Sequence, residues 1–219
     1  MRAAIYYTPP AEDPLTRAAA LWLGRCAFGG GPTRAPDPAI DPLVGAPARY
    51  GFHATMMAPF RLSARLSLPD LDMALAAFCA QTPPVDLGRL RLAPLAGFLA
   101  LRPEREAGVA ALEARLRPAL DGCRAPIAAD DIARRDPDRL TPRQRENLHR
   151  WGYPHVGPDY RFHMTLTDRL DDPAPAEAEL SRRLSPLLEA PRRIDALTIF
   201  VEPVPRGPFL VHGGHRLTG

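Results

Sequence analysis

Two histidines, each followed two positions later by a threonine, occur in nearly the same local sequence at two places. His53 and Thr55 lie in Phe-His-Ala-Thr, and His163 and Thr165 lie in Phe-His-Met-Thr, 110 residues further on. Two imidazoles that face each other can cleave a phosphodiester, because a neutral ring accepts a proton from the nucleophile while a protonated ring donates one to the leaving oxygen. The hydroxyls can donate hydrogen bonds to the phosphoryl oxygens. The pair of motifs therefore predicts acid–base catalysis at a phosphate.

The alternative interpretation is a pair of ordinary core or surface histidines. A threonine two positions after a given histidine is expected by chance about once in twenty cases, so one such motif indicates little. Here both motifs follow a phenylalanine, both lie in strand-like segments, and both occupy the same place in an internal repeat. This combination favours the catalytic interpretation.

Strand geometry predicts where these side chains point. Successive side chains of a strand alternate between its two faces, so residues two apart share a face. One face is predicted to carry each histidine, each threonine and the residue two positions after the threonine. These are His53, Thr55 and Met57 in the first copy, and His163, Thr165 and Thr167 in the second. The opposite face of the second copy is wholly apolar, formed by Phe162, Met164 and Leu166, and is predicted to be covered by helices.

Matching landmarks recur along the chain at a nearly constant offset. Their offsets lie between 109 and 111 residues for the pairs His53/His163, Asp86/Asp195, Pro94/Pro203 and Phe98/Phe209. Such an offset across strand, helix, strand and strand indicates an internal duplication. We therefore predict one bilobal domain over residues 1–219, with lobes at about 1–102 and 103–219 that can exchange their terminal strands. The fold class is α+β, with two antiparallel sheets, helices on their outer faces and a central cleft.

Local signals predict the ends of several elements. Asp13 and Pro14 are expected to begin a helix that ends at Gly29–Gly31, and Thr141 is expected to cap another. The segment 29–50 is rich in proline and glycine, which predicts an irregular loop that closes over the cleft. The glycines between His212 and His215 favour a flexible tail over a metal site.

Composition excludes several classes of function. The chain has 219 residues, 46% of them hydrophobic, and a formal charge of +3. All 28 basic residues are arginine, which excludes lysine chemistry. No apolar run reaches the roughly 18 residues that cross a bilayer, so we expect a cytoplasmic protein without a membrane partner. Three widely spaced cysteines indicate neither a disulfide framework nor a zinc site, and we expect no metal or cofactor.

Four longer blocks carry a resemblance to a known family: "RYGFHATMMAPFRL", "LAPLAGFLALRP", "LTPRQRENLHRWGYP" and "YRFHMTLTDRL". Together they cover essentially the whole chain and resemble the two-histidine phosphoesterase superfamily, in particular a bacterial branch of phosphonate-metabolism proteins (DUF1045-like). The resemblance implies that His53 and His163 form the acid–base pair. It also implies that Thr55 and Thr165 donate hydrogen bonds to the phosphate.

The resemblance further implies a substrate class: a cyclic phosphate on a small sugar or nucleoside, such as the ribosyl cyclic phosphate left by carbon–phosphorus bond cleavage. A sugar carrying another phosphate needs a second anion site. Arginines with a planar fork of donors are the candidates: Arg161, Arg134, Arg135, Arg143 and Arg49. Arg161 has the best claim because it shares the strand face of His163. Tyr50 either stacks on a base or packs beneath a loop.

Two rival functions stay open. The first is an RNA-end phosphodiesterase or 2′,5′ RNA ligase-like enzyme, which needs a basic groove and whose binding would weaken steeply with salt. The second is a non-catalytic protein that binds a phosphate ligand through the same histidines. Tight binding without turnover would favour that rival.

Overall fold

The computed structural model describes residues 1–133 and 135–219 and has an α+β fold, as predicted. Its strands are β1 (Arg2–Tyr7), β2 (Ala54–Phe60), β3 (Val85–Gly88), β4 (Leu90–Leu95), β5 (Phe98–Pro103), β6 (Met164–Thr165), β7 (Arg192–Ile194), β8 (Ala196–Glu202) and β9 (Leu210–Arg216). Its α-helices are α1 (Pro14–Leu23), α2 (Gly45–Tyr50), α3 (Leu68–Ala80), α4 (Ala107–Ala119), α5 (Ala129–Ala133), α6 (Pro142–Trp151) and α7 (Ala174–Leu188).

Strands from both halves of the chain form a single seven-stranded antiparallel sheet in the order β4-β5-β6-β2-β1-β8-β9, while β3 and β7 pair separately. Apart from the inserted helices α2, α5 and α6, the order strand, helix, strand, helix, strand, strand occurs twice, from β1 to β4 and from β5 to β8. The last strand of each copy pairs with the first strand of the other: β4 with β5, and β8 with β1. The duplication therefore centres on the neighbouring strands β2 and β6.

The main core lies between one face of this sheet and helices α1, α3, α4 and α7. Phe162, Met164 and Leu166 belong to it and are at most 1% exposed, which confirms the predicted apolar face. The opposite face carries the histidines and a smaller cluster of buried residues: Ala4, Tyr6, Ala27, Phe200 and Phe209. The sheet thus separates the hydrophobic core from the face on which chemistry is predicted.

Helix caps follow the sequence signals closely. The Asp13 side chain accepts a hydrogen bond from the Leu15 amide at 2.8 Å, and Thr141 forms a capping box with Gln144. The predicted end of α1 is wrong, because Gly24 adopts a left-handed conformation (φ 73°) and stops the helix five residues before Gly29.

The segment 29–50 contains more regular structure than predicted. It forms a 3-10 turn at Asp41–Leu43 and then α2, so the expectation of an irregular loop is wrong. Asp168 holds this segment: its amide donates to the Leu43 carbonyl at 2.7 Å, and its carboxylate accepts from the Ala46 amide at 3.0 Å. A partner 122 residues away is invisible to local composition.

The His212–His215 stretch is also not a flexible tail. It lies within β9 and pairs with β8, and His215 Nε2 lies 2.9 Å from the Asp72 Oδ1 atom of α3. The described residues contain no group of three or more His, Cys, Asp or Glu side chains placed to hold a metal ion. Across the same ranges, no helix combines the length and apolarity needed to cross a bilayer.

Candidate active site

The register between β2 and β6 brings the two motifs together. Ala54 lies opposite Met164 in an antiparallel pair, and each of these residues stands between the histidine and the threonine of its motif. His53 is therefore opposite Thr165, and Thr55 is opposite His163, with all four side chains on one face. His53 and His163 are therefore diagonal neighbours across the two strands. Residues in this relation are about 7 to 8 Å apart.

The two imidazoles are held in the same way. Nδ1 of His53 lies 2.9 Å from the Gly51 carbonyl oxygen, and Nδ1 of His163 lies 2.7 Å from the Arg161 carbonyl oxygen. A carbonyl oxygen only accepts, so each Nδ1 carries a proton. Nε2 of each neutral ring is consequently free to accept a proton, and Thr55 Oγ1 lies 3.5 Å from Nε2 of His53.

An aromatic floor fixes the His53 ring. The Tyr6 ring stacks on it with centroids 3.8 Å apart and an interplanar angle of 26°. Burial lowers the pKa of His53 to about 4; the Gly51 carbonyl opposes this shift, and the charge of His163 adds to it. The last effect requires the two rings to be close enough to sense each other's charge.

The electrostatics of His163 follow the same pattern. Burial lowers its pKa, the Arg161 carbonyl opposes the shift, and the Arg102 guanidinium lowers the pKa further. A histidine with a lowered pKa is neutral at pH 7. Both rings are therefore uncharged near neutral pH in the ligand-free protein.

The histidines open onto two adjoining cavities. One has a volume of about 300 Å³ and is lined by His53, Thr55 and Thr165 among others. The other, of about 340 Å³, is lined by His163 and Arg161 and shares one wall with the first, formed by Thr55, Phe98, Tyr153 and Arg169. A small ligand can thus reach both rings from this face of the sheet.

The predicted ligand-binding residues are placed unevenly. Tyr50 lines the His53 cavity and stacks on Phe209 at 5.0 Å, and Arg135 lines the same cavity with its guanidinium 5.0 Å from the Tyr153 ring. Arg161 is exposed beside His163. Arg134 lies outside the described residues.

Two other arginine candidates are already paired. Arg143 Nε donates to Asp159 at 2.7 Å, and Arg143 lines neither histidine cavity. Arg49 pairs with Glu202 beyond the His53 cavity. The expectation that Arg143 contacts the ligand is therefore not supported by its position.

Sequence reasoning misplaced one residue and missed others. Met57 does not share the face of His53: a register shift in β2 turns it towards Ile5 and the main core, where it is 8% exposed. Arg169, which lines both cavities, continues the period of two from His163 and could have been found that way. Tyr6 carried no local signal.

A comparison with known families decides the relationship. The family model described as "Protein of unknown function (DUF1045)" matches residues 55–210. The chain belongs to this family. Membership of the DUF1045 family confirms the DUF1045-like branch to which the four sequence blocks pointed.

Two curated proteins are similar to this DUF1045 chain. Both are named "Ribose 1,5-bisphosphate phosphokinase PhnN". The protein of Janthinobacterium sp. (strain Marseille) is 37% identical over 95% of this chain and 49% of its own length. The protein of Laribacter hongkongensis (strain HLHK9) is 36% identical over 93% of this chain and 48% of its own length. The chain spans about half the length of the curated relatives it matches.

Solved structures are less similar to the DUF1045 chain. TT0787 of Thermus thermophilus is 15% identical with a TM-score of 0.49, covering 100% of this chain and 99% of that one. E. coli LigT complexed with 3′-AMP is 14% identical with a TM-score of 0.48, covering 100% of this chain and 98% of that one. Neither likeness is close enough to carry an inference about function.

Proposed function

We propose that this chain is a phosphodiesterase that opens a cyclic phosphate on a small sugar or nucleoside by acid–base catalysis with two histidines. One observation carries the proposal. The Ala54–Met164 register puts His53 and His163 on one face of the sheet, and the carbonyls of Gly51 and Arg161 keep the proton of each neutral ring on Nδ1, so that each Nε2 can accept a proton.

The geometry supports a simple division of roles. His53, whose pKa is lowered to about 4, stays neutral beside an anionic substrate and acts as the general base. Its Nε2 takes a proton from water, and the water oxygen forms a bond to phosphorus. The bound phosphate anion favours the charged form of His163, so this ring takes up a proton from solvent when the substrate binds. The ester oxygen leaves as its bond to phosphorus breaks, and His163 gives it that proton from Nε2. The product is a single molecule, the opened sugar, which carries a free hydroxyl and a phosphate monoester.

The threonines and the ring strain complete this mechanism. Thr55 and Thr165 lie opposite the histidines in the register, so their hydroxyls can donate to the two non-bridging oxygens as negative charge builds. A five-membered cyclic phosphate is strained, which lowers the barrier that two histidines must overcome. The names of the curated relatives concern a phosphorylated ribose, and this favours a sugar phosphate within the phosphonate-metabolism setting that the resemblance implies.

The test is a phosphorus NMR screen with purified protein against cyclic sugar phosphates, cyclic nucleoside phosphates and 2′,5′-linked dinucleotides. We expect His53→Ala and His163→Ala each to lower turnover at least about a hundredfold, the low end for losing a general acid or base. The matched control is His149→Ala, an exposed histidine on α6 outside the cavities described above, which should keep wild-type turnover.

Two results would reject the mechanism. One is wild-type turnover of a verified substrate by either His53→Ala or His163→Ala. The other is tight binding of a phosphate ligand with no turnover of any compound, which would favour a binding protein.

Turnover is also expected to persist in the presence of a chelator, measured as the same NMR rate with and without EDTA.

A further inference from the structure

A third cavity of about 510 Å³ adjoins the His53 cavity and is lined mainly by arginine. Its lining includes four guanidinium groups and one carboxylate, those of Arg2, Arg49, Arg135, Arg206 and Glu202. The cavity lies at the end of β1 and β8 on the histidine face, where Arg2 is paired in register with Glu202. Four cations around one anion make this an electropositive site.

The single carboxylate is already committed. Glu202 is 1% exposed and accepts from Arg2 Nε at 2.5 Å, from Arg2 Nη2 at 3.0 Å and from the Arg206 amide at 3.0 Å, and it also pairs with Arg49. Burial opposes ionisation of this carboxyl, but its hydrogen bonds and charge contacts with Arg2 and Arg49 leave its pKa below the ordinary value. One negative charge therefore fixes the position of two guanidinium groups and neutralises only one of them.

The other two arginines are not neutralised. Among the described residues no carboxylate pairs with Arg135 or Arg206, whereas exposed arginines elsewhere are paired, such as Arg143 with Asp159 and Arg182 with Glu179. Arg135 is instead held over the Tyr153 ring at 5.0 Å. Its charge is thus positioned but uncompensated, an arrangement that a bound anion would stabilise.

The arginine cavity is continuous with the proposed catalytic site. Tyr50 and Arg135 line both this cavity and the His53 cavity. The Tyr50 ring lies 5.9 Å from the His53 ring, and the Arg49 guanidinium lies 5.1 Å from the Tyr50 ring. By these two distances the Arg49 guanidinium lies within about 11 Å of the His53 ring, and the lining shared through Tyr50 and Arg135 gives one extended ligand a path from the histidines to the arginines.

We infer that Arg2, Arg49, Arg135 and Arg206 form a second anion subsite, which binds a phosphoryl group of the substrate other than the one that reacts. The inference rests on the proposed function and narrows its substrate class to cyclic phosphodiesters that carry a further phosphate. Guanidinium forks match the oxygens of a terminal phosphate and bind it in two-point fashion. Glu202 preorganises Arg2 and Arg49, and Arg135 and Arg206 supply the uncompensated charge.

The test compares two substrates that differ only in the second phosphate: a five-membered cyclic ribose phosphate with and without a phosphate on the 5-hydroxyl. The quantity measured is the ratio of their kcat/KM values. We expect the wild-type protein to prefer the 5-phosphorylated compound at least about a hundredfold, because charge-assisted hydrogen bonds from guanidinium groups to a phosphate are among the strongest that a protein makes. In Arg135→Gln/Arg206→Gln this ratio should fall at least tenfold.

The matched control is Arg65→Gln, which removes one exposed arginine outside the three cavities and should leave the ratio unchanged. The subsite is rejected if the double variant lowers kcat/KM equally for both substrates, or if the wild-type protein shows no preference. Those outcomes leave the proposed function intact, because His53→Ala would still lower turnover at least about a hundredfold.

A binding measurement decides the case in which the wild-type protein cleaves neither compound, because binding to the arginines can be measured without turnover. Calorimetric titrations of ribose 5-phosphate and of ribose are then compared. At least tenfold tighter binding of the phosphate ester, lost in Arg135→Gln/Arg206→Gln and kept in Arg65→Gln, would support the subsite. If Arg135→Gln/Arg206→Gln keeps the wild-type preference for ribose 5-phosphate over ribose, the subsite is rejected.

Discussion

Contact between the His53 ring and Tyr6 links the stability of the protein to pH. The pKa of His53 is lowered to about 4, against about 6.5 in an unfolded chain. Between these values the unfolded state binds more protons, so the free energy of unfolding falls as pH falls through this window. The loss attributable to this group is at most about 3 kcal/mol, at 1.36 kcal/mol per pKa unit.

Urea unfolding at pH 7 and pH 4.5 measures this effect. His53→Gln removes the titrating ring, so we expect the variant to lose about 2 to 3 kcal/mol less stability than the wild type on acidification. His149→Gln, at an exposed position on α6, should lose as much as the wild type. An identical acid response in His53→Gln and the wild type would show that the ring does not titrate at a lowered pKa.

The same two rings set the expected pH dependence of catalysis. kcat/KM reports the protonation states of the free protein, and the mechanism needs neutral His53 and protonated His163. kcat/KM should fall below about pH 4, where His53 becomes charged, and fall again above the pKa of His163, which burial holds below its ordinary value. A profile measured on a verified substrate that keeps rising beyond pH 8 would contradict this division of roles.

At the residue scale, the sequence predicted the side chains that follow the two-residue period of a strand. It missed the contacts between residues that are far apart in the chain. His53, Thr55, His163 and Thr165 were found because their spacing follows the period of a strand. Tyr6 could not be found, because its stacking on His53 depends on the pairing of β1 with β2. The pairing of Arg2 with Glu202 joins residues 200 positions apart, and no local pattern reveals such a contact.

Among the elements, the turn between α2 and β2 determines where His53 lies. Gly51 has φ 80° and ψ 177°, a region that essentially only glycine adopts, and its carbonyl holds Nδ1 of His53. A Cβ atom at Gly51 would lie 2.7 Å from the Ala27 Cβ. We expect Gly51→Ala to cost about 1 to 3 kcal/mol of stability and to reduce turnover by displacing the imidazole.

Urea midpoints and kcat/KM are measured for Gly51→Ala and for Gly29→Ala, which serves as the control. An added Cβ at Gly29 meets no atom within 4 Å, and Gly29 does not have a positive φ. The control should therefore resemble the wild type in both measurements. If Gly51→Ala behaves like the control, the turn does not hold His53 in place.

Element prediction succeeded where the signals were local. The caps Asp13 and Thr141 were predicted correctly, because capping depends on neighbouring residues. The strand expected around His163 is reduced to the two residues of β6, because its neighbours β2 and β5 pair with it only briefly. The residues that follow are held by Thr167, whose hydroxyl accepts from the Leu99 amide at 2.9 Å.

For the whole molecule, the exchange of terminal strands predicts one cooperative unit. β8 pairs with β1 and β4 pairs with β5, so neither half of the chain completes its part of the sheet alone. We propose that residues 1–219 unfold in a single transition. Tryptophan fluorescence and far-UV circular dichroism should give coincident urea curves, whereas two separated transitions would indicate independent lobes.

The constant offset of about 110 residues revealed the duplication but not the way in which its copies interlock. A sequence offset shows which segments of the two copies correspond. The order of strands in the sheet depends instead on which strand edges pair in three dimensions. The prediction of an α+β fold with antiparallel pairing was therefore confirmed, while the continuity of one seven-stranded sheet across both copies became visible only in the structure.

The central pairing of β2 with β6 also has an evolutionary consequence. Each copy of the repeated unit contains one motif histidine, and the two meet only where the copies adjoin. An ancestor built from a single copy could have assembled the same pair only as a homodimer of half-length chains, with the last strand of each subunit donated to the other. Gene fusion would then have freed the two histidines to diverge in their roles.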